Sequence, residues 1–116
     1  MENLDWIAWA AGLFEGEGCI SIASYTRGPR YYQYPRLKVH MTDKDTVKKF
    51  KEAVQCGNVS FRKKATPNRK DTWLWELCNT KEIEKIIGLF WPYLGERRRA
   101  KAIELNIYIQ QDLEDN

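Results

Sequence analysis

"GLFEGEG", residues 12 to 18, closes the first apolar stretch of the chain. Three glycines, Gly12, Gly16 and Gly18, surround two acids, Glu15 and Glu17. Leu4, Ile7, Ala11 and Phe14 recur with the spacing of one helix face, and Asn3 suits the N-cap. A carboxylate at the end of that helix opposes its dipole, and glycine weakens a helix interior. Gly16 and Gly18 therefore read as a helix stop and a sharp turn into a strand at Cys19. Ala8, Ala11 and Gly12 set small residues close together, which lets a second helix backbone approach. Two such helices side by side would bring two Glu17 carboxylates together, and paired carboxylates attract a hard divalent cation such as Mg²⁺.

Downstream, the pattern alternates between strand and helix periods. "CISIASY" (19 to 25) is strand-like, "TRGPR" is a turn, and "YYQYPRLKVHM" (31 to 41) alternates clearly. Leu37, Val39 and Met41 belong to one face; Tyr34, Arg36, Lys38 and His40 belong to the other. Pro35 predicts an edge or an irregular entry to that strand. A helix follows, with Thr42 or Asp43 as N-cap, Val47, Phe50 and Val54 on one face, and Gly57 as stop. "NVSFRKK" (58 to 64) and "TWLWELC" (72 to 78) are two further strands around a basic loop, with Trp73 and Trp75 facing the core or, as the alternative, stacking on unpaired bases. A helix starts near Thr80 and ends at Pro92. A last one carries Ala102, Leu105 and Ile109 on one stripe. The fold class is α+β, with an antiparallel four-stranded sheet, helices on one face and a polar, basic face left open.

Size and charge narrow the function. The 116 residues suffice for one domain, 1–116, in which the acidic tail 112–116 is expected to be flexible. Residues 27 to 70 hold thirteen Lys or Arg against three acids, a local excess of +10 in a chain of net charge +3. Tyr and Trp interleave with these cations, as on a nucleic-acid surface. No apolar run is long enough for a membrane span, and no leader-like segment opens the chain. Three widely spaced cysteines and one histidine argue for free thiols and against structural zinc. An intracellular location, cytoplasmic or organellar and not secreted, is the expectation.

"AAGLFEGEG" (10 to 18) resembles the nine-residue motif that names the LAGLIDADG homing endonucleases. Ala11, Gly12, Leu13 and Gly18 are identical to it, and Glu15 and Glu17 replace its two acids. The αββαββα order fits the family's saddle-like sheet, and "PYLGERRRAKA" (92 to 102) is similar to its late Pro-x-Leu turn and basic helix. The resemblance implies a site-specific, Mg²⁺-dependent DNA endonuclease with no small-molecule substrate. The single motif implies a homodimer that makes a double-strand break in a long, near-palindromic target.

The resemblance also implies residue roles. Glu17 holds the metal and is catalytic, and Glu15 supports it from behind. Asp43 falls where the family often orders the attacking water. Arg97 stands where the family usually has a Lys, and Lys101, one turn later, could substitute for it. Ala8, Ala11 and Gly12 form the dimer contact. DNA would meet Ser21, Ala23, Tyr25 and Arg27 on the first strand, and Tyr34, Arg36, Lys38 and His40 on the second. Ser60, Arg62 and Lys64, with Thr72, Leu74 and Glu76, continue that surface. The alternatives are a non-cleaving nucleic-acid-binding protein on the same fold, such as an intron maturase or a regulator, and a generic basic α+β module.

Overall fold

A helix that runs straight into a strand begins the fold. In a computed structural model the described residues run from Leu4 to Glu114, with side chains described over 5–105. Helix α1 (Leu4–Glu17) passes directly into strand β1 (Gly18–Arg27), which turns through Gly28 and Pro29 into β2 (Arg30–Met41). Then come α2 (Lys44–Val54), β3 (Asn58–Arg62), β4 (Thr72–Leu77) and α3 (Thr80–Phe90). A short 3₁₀ turn (Trp91–Tyr93) leads into α4 (Glu96–Glu114). The four strands form one sheet in the order β1-β2-β4-β3, and every neighbouring pair is antiparallel.

Register divides the sheet into two faces. Ile20 pairs with Leu37, Val39 with Trp75, and Val59 with Trp75 from the other side. These side chains point to the helices, and Leu37, Val39 and Trp75 are wholly buried there. The alternate residues point away, as the period of two requires. Pro35 is not at the outer edge of the sheet. It pairs with Ile22, but β4 runs alongside β2 only from Leu37 to Met41, so Pro35 sits where that partner has ended.

The core is organised by four rings. Phe14 of α1, Phe50 of α2, Phe90 of α3 and Trp75 of β4 are all fully buried. Phe50 meets Trp75 edge-on at 4.7 Å and lies 6.5 Å from Phe14, which is 5.6 Å from Phe90. Edge-on and tilted pairs suit the aromatic quadrupole and add to the apolar burial. The Trp75 indole N–H donates to the Cys56 carbonyl at 2.8 Å, so the ring's polar atom is not left unpaired.

Several boundaries differ from those the sequence suggests. Gly16 does not end α1; the helix continues through Glu17, and Gly18 opens the strand. Gly57 is not the stop of α2: Gln55 takes the left-handed conformation (φ 59°), and its N–H donates to Lys51. β3 ends at Arg62, so Lys64 lies in the loop, where its backbone N–H donates to Asp71 at 2.8 Å. The helical backbone of α4 reaches Glu114. The Asn3 cap, the Ile109 side chain and residues 115–116 lie outside the described residues.

Asp43 caps α2 with both carboxylate oxygens. Oδ1 accepts the Thr46 backbone N–H at 3.2 Å, and Oδ2 accepts the Thr46 hydroxyl at 2.9 Å. These bonds, the hydroxyl's first, hold the Asp43 carboxyl below the usual carboxylate range. A depressed folded-state pKa contributes stability that is complete above the unfolded value and lost as the pH falls through the folded one. Asp43→Ala is therefore expected to lower the melting temperature at pH 7. The gap to wild type should close in melts taken below pH about 4, the ordinary value for Asp. Phe50→Ala is expected to cost about 3–5 kcal/mol in urea unfolding, since it empties the centre of the ring cluster.

Candidate nucleic-acid interface and acidic site

The two acids of "GLFEGEG" have different surroundings. Gly18 lies against the Phe14 ring and carbonyl, where any Cβ would collide, so only glycine lets strand follow helix without a linker. Glu15 Oε1 accepts the Gly95 backbone N–H at 2.9 Å, at the entrance of α4. A Cβ on Gly95 would stand 2.6 Å from that oxygen, so a larger residue there would push the Glu15 carboxylate aside. Arg98 donates to the Glu15 carbonyl through Nε (3.4 Å) and Nη2 (3.3 Å). Glu15 thus fastens α4 to the end of α1. Glu17, the last helical residue, is exposed.

The run Arg97-Arg98-Arg99 is divided among three tasks. Arg98 makes the bonds just described. Arg99 donates to the Trp91 carbonyl at 3.2 and 2.9 Å and lies over the Trp91 ring at 5.4 Å. Arg97 is exposed. It lines a cleft of about 360 Å³ with Arg98, Lys101 and Glu104 of α4 and with Cys19 and Ile20 at the start of β1. Lys101 pairs with Glu104 at 3.1 Å on an open surface. The fold therefore brings Arg97 and Lys101 to the strand that begins one residue after Glu17. Asp43 is occupied as the α2 cap, with both oxygens used, and the structure gives no contact that joins it to Glu17.

The outward side of α1 carries Trp9, exposed beside Trp6 and Lys49, and two glycines. Gly12 and Gly16 are exposed, and a Cβ on either would meet nothing within 4 Å. Ala8 is half-buried. Ala11 does not belong to this surface: it is wholly buried beside Ile7, Ala10 and Phe14, because 100° per residue carries it to the core side. Gly16, one turn after Gly12, takes its place.

The open sheet face carries the polar residues that alternation assigns to it. Ser21 stands opposite Arg36, Ala23 opposite Tyr34, and Lys38 opposite Glu76. Arg36 Nη1 is 3.8 Å from Glu76. Arg36 Nε and Ser21 Oγ are buried without a hydrogen-bond partner, two unspent polar atoms at neighbouring positions. His40 Nε2 is hydrogen-bonded to the Thr72 hydroxyl. Arg62 pairs with Thr72 across β3 and β4, and Ser60 with Leu74. Leu74 is only 7% exposed, so it fills the space between its neighbours rather than presenting surface. Arg27 is exposed at the tip of the β1–β2 hairpin, opposite Arg30. Tyr25 stacks on Tyr32 at 5.0 Å and lies 6.0 Å from Tyr34. Tyr32 was not singled out in the sequence, although alternation from Tyr34 places it on the same face.

The donor set at the end of α1 suits a hard cation. Glu17 offers a carboxylate, and the last turn of the helix has no basic residue of its own, but its Glu15 carbonyl is already taken by Arg98 of α4. No group of three His, Cys, Asp or Glu capable of holding a metal occurs among the described residues. Cys19, Cys56 and Cys78 are free thiols, and burial pushes Cys56 and Cys78 above the ordinary thiol value. Among the described residues, no helix is long and apolar enough to cross a membrane.

Comparison with known proteins bears on this arrangement. The solved structure of the group I intron-encoded homing endonuclease I-CeuI, complexed with DNA, is similar over 99% of this chain and 58% of its own, with TM-score 0.77 and 14% identity. The homing endonuclease I-CvuI, in complex with its target, is similar over 90% of this chain and 66% of its own, with TM-score 0.71 and 20% identity. An archaeal intron-encoded homing endonuclease, I-Vdi141I, complexed with DNA, is similar over 75% and 54%, with TM-score 0.60 and 20% identity. The chain thus spans between about half and two-thirds of the length of these three structures. No curated protein matches it in sequence. The family model of the LAGLIDADG endonuclease matches residues 10–112, nearly the whole chain and all of the motif at its start, and the chain belongs to that family.

Proposed function

We propose that two copies of this chain pair through α1 and cut both strands of a long, near-palindromic DNA duplex at one site. The observation that carries this reading is the exposed Glu17 at the end of a helix whose outward glycines touch nothing in their own chain. A glycine row that the protomer's packing does not require is accounted for by a close partner helix. Isologous pairing through α1 would set two Glu17 carboxylates about one two-fold axis. The reading is supported by the family match and by relatives whose structures contain DNA.

Each side chain then has a chemical task. Glu17, with carbonyls of the last α1 turn, would hold Mg²⁺, and the cation offsets the clash between carboxylate and helix dipole. When bound, Mg²⁺ supplies Lewis-acid charge stabilisation at the phosphate and makes water easier to deprotonate at neutral pH. Arg97 and Lys101 would neutralise charge developing on the phosphate, Lys101 exchanging its Glu104 partner for the substrate. Glu15 and Arg98 keep these groups in register by locking α4 to α1. Asp43 keeps its capping role and leaves the catalytic set.

The open sheet face would enter the DNA groove. Arg36 has a planar fork suited to guanine, while Lys38 suits phosphate. Glu76 stands beside both, so it limits how Arg36 can turn and disfavours phosphate near it. The Tyr25–Tyr32–Tyr34 group would stiffen the long β1–β2 arm where it extends past the rest of the sheet.

The test is cleavage of a target selected from a randomised palindromic library. Glu17→Gln is expected to retain fold, dimer and duplex affinity, because the amide keeps the shape, and to lose Mg²⁺-dependent cleavage, because it lacks the charge. Cutting by Glu17→Gln at the wild-type rate would remove Glu17 from the chemistry. A wild-type protein that stays monomeric on DNA in sedimentation would remove the dimer.

A further inference from the structure

A second groove lies on the helix side of the sheet, where α2 passes the outer strand β3. It encloses about 850 Å³. Lys44, Lys48 and Lys51 form one wall, Phe61 and Trp73 the other, and Glu52 is the one acid among the lining residues. The wall follows from helix geometry: positions 44, 48 and 51 make one stripe, beside the buried face of Val47, Phe50 and Val54. The opposite wall follows from strand alternation. Phe61 and Trp73 are cross-strand partners on the helix side, whereas Arg62 and Thr72 point to the open face. One pair of strands therefore furnishes two separate surfaces.

Phe61 has no part in the core. It is 53% exposed, with its ring 5.4 Å from Trp73 and tilted by 59°. Trp73 is only partly buried. The pair makes an aromatic ledge beside three ammonium groups, and β3 leads on to two more cations, Lys63 and Lys64. That charge selects a polyanion, and the ledge selects one with flat groups free to stack. Bases inside a duplex stack on one another and leave no face for a ledge; unpaired bases do.

We propose that this groove binds single-stranded nucleic acid, with unpaired bases on Phe61 and Trp73 and the phosphates along Lys44, Lys48 and Lys51. The site shares only Ser60, on the edge strand, with the residues assigned to the open sheet face and does not depend on the reading given to that face.

Fluorescence anisotropy with labelled oligothymidylate and oligouridylate tests it on the full chain, with duplex binding measured in parallel. Wild type should bind at least one of the two strands at low salt, and the comparison shows whether ribose or deoxyribose is preferred. Lys48→Gln with Lys51→Gln should weaken that binding and lower the slope of log K against log salt by about 1.4, for two lost phosphate contacts. Phe61→Ala, at an exposed position, should weaken it about tenfold with the slope unchanged, as loss of one stacked base would. Both variants should bind duplex as wild type does. The proposal is overturned if neither strand binds, or if Arg36→Ala abolishes single-strand binding while the groove variants leave it intact. It is also overturned if a polyglutamate peptide binds the groove in a Phe61-dependent way and the oligonucleotides do not.

Discussion

The lack of any linker between α1 and β1 is the constraint on which the rest of the structure depends. Helix ends at Glu17 and strand begins at Gly18. That junction exists because Gly18 has no Cβ to strike the Phe14 ring. Phe14 is held in turn by Phe50 and Phe90, so the end of α1 is set by the same ring cluster that holds the helices on the sheet. A flexible connection would leave Glu17 free to wander. Here its backbone is fixed from both sides, and only its side chain is free.

The second fastening comes from the far end of the sequence. Glu15 receives the N–H of Gly95, eighty residues away, and Arg98 returns two bonds to the Glu15 carbonyl. Cationic α4 is thereby held to the start of β1, and the cleft lined by Arg97 and Lys101 forms beside the acidic helix end. Acid and base are kept apart by geometry rather than paired: Glu17 is exposed, and Lys101 is occupied by Glu104. A carboxylate left unneutralised at a helix C-terminus is unfavourable in isolation. Under the proposed function it would become favourable when a cation and an anionic substrate arrive together, as at a metal-assisted phosphodiester site.

Much of this was legible in the sequence, for physical reasons. Period-two alternation in 31 to 41 assigned Leu37 and Val39 to the core and Arg36 and Lys38 to the open face, and one buried face made that register unambiguous. The apolar stripe of α2 and the cap at Asp43 were equally readable. The apolar spacing of Ile7, Ala11 and Phe14 already put Ala11 on the buried face, while the run of small residues put it at the dimer contact as well; Ala11 and Gly12 are neighbours in sequence and 100° apart on the helix. Ala11 went to the core, and Gly16, read as a stop, joined the exposed row. Nor could composition separate Arg97, Arg98 and Arg99, since they meet, in that order, open solvent, a carbonyl in α1 and a carbonyl at Trp91. Long-range bonds such as Glu15 to Gly95 leave no local signature. The Phe61 ledge was hidden for another reason: Phe61 continues the core-facing alternation of β3, and only the three-dimensional edge leaves it uncovered.

The central claim is that two chains each bring one Glu17 to a shared two-fold site. It is tested most directly in mixed dimers, in which one tagged protomer is wild type and the other carries Glu17→Gln. Purified through both tags and given the selected target with Mg²⁺, these dimers are predicted to bind as tightly as wild type and to fail to break both strands. Double-strand breakage by mixed dimers at the wild-type rate would contradict the account, because one Glu17 would then suffice for both cuts.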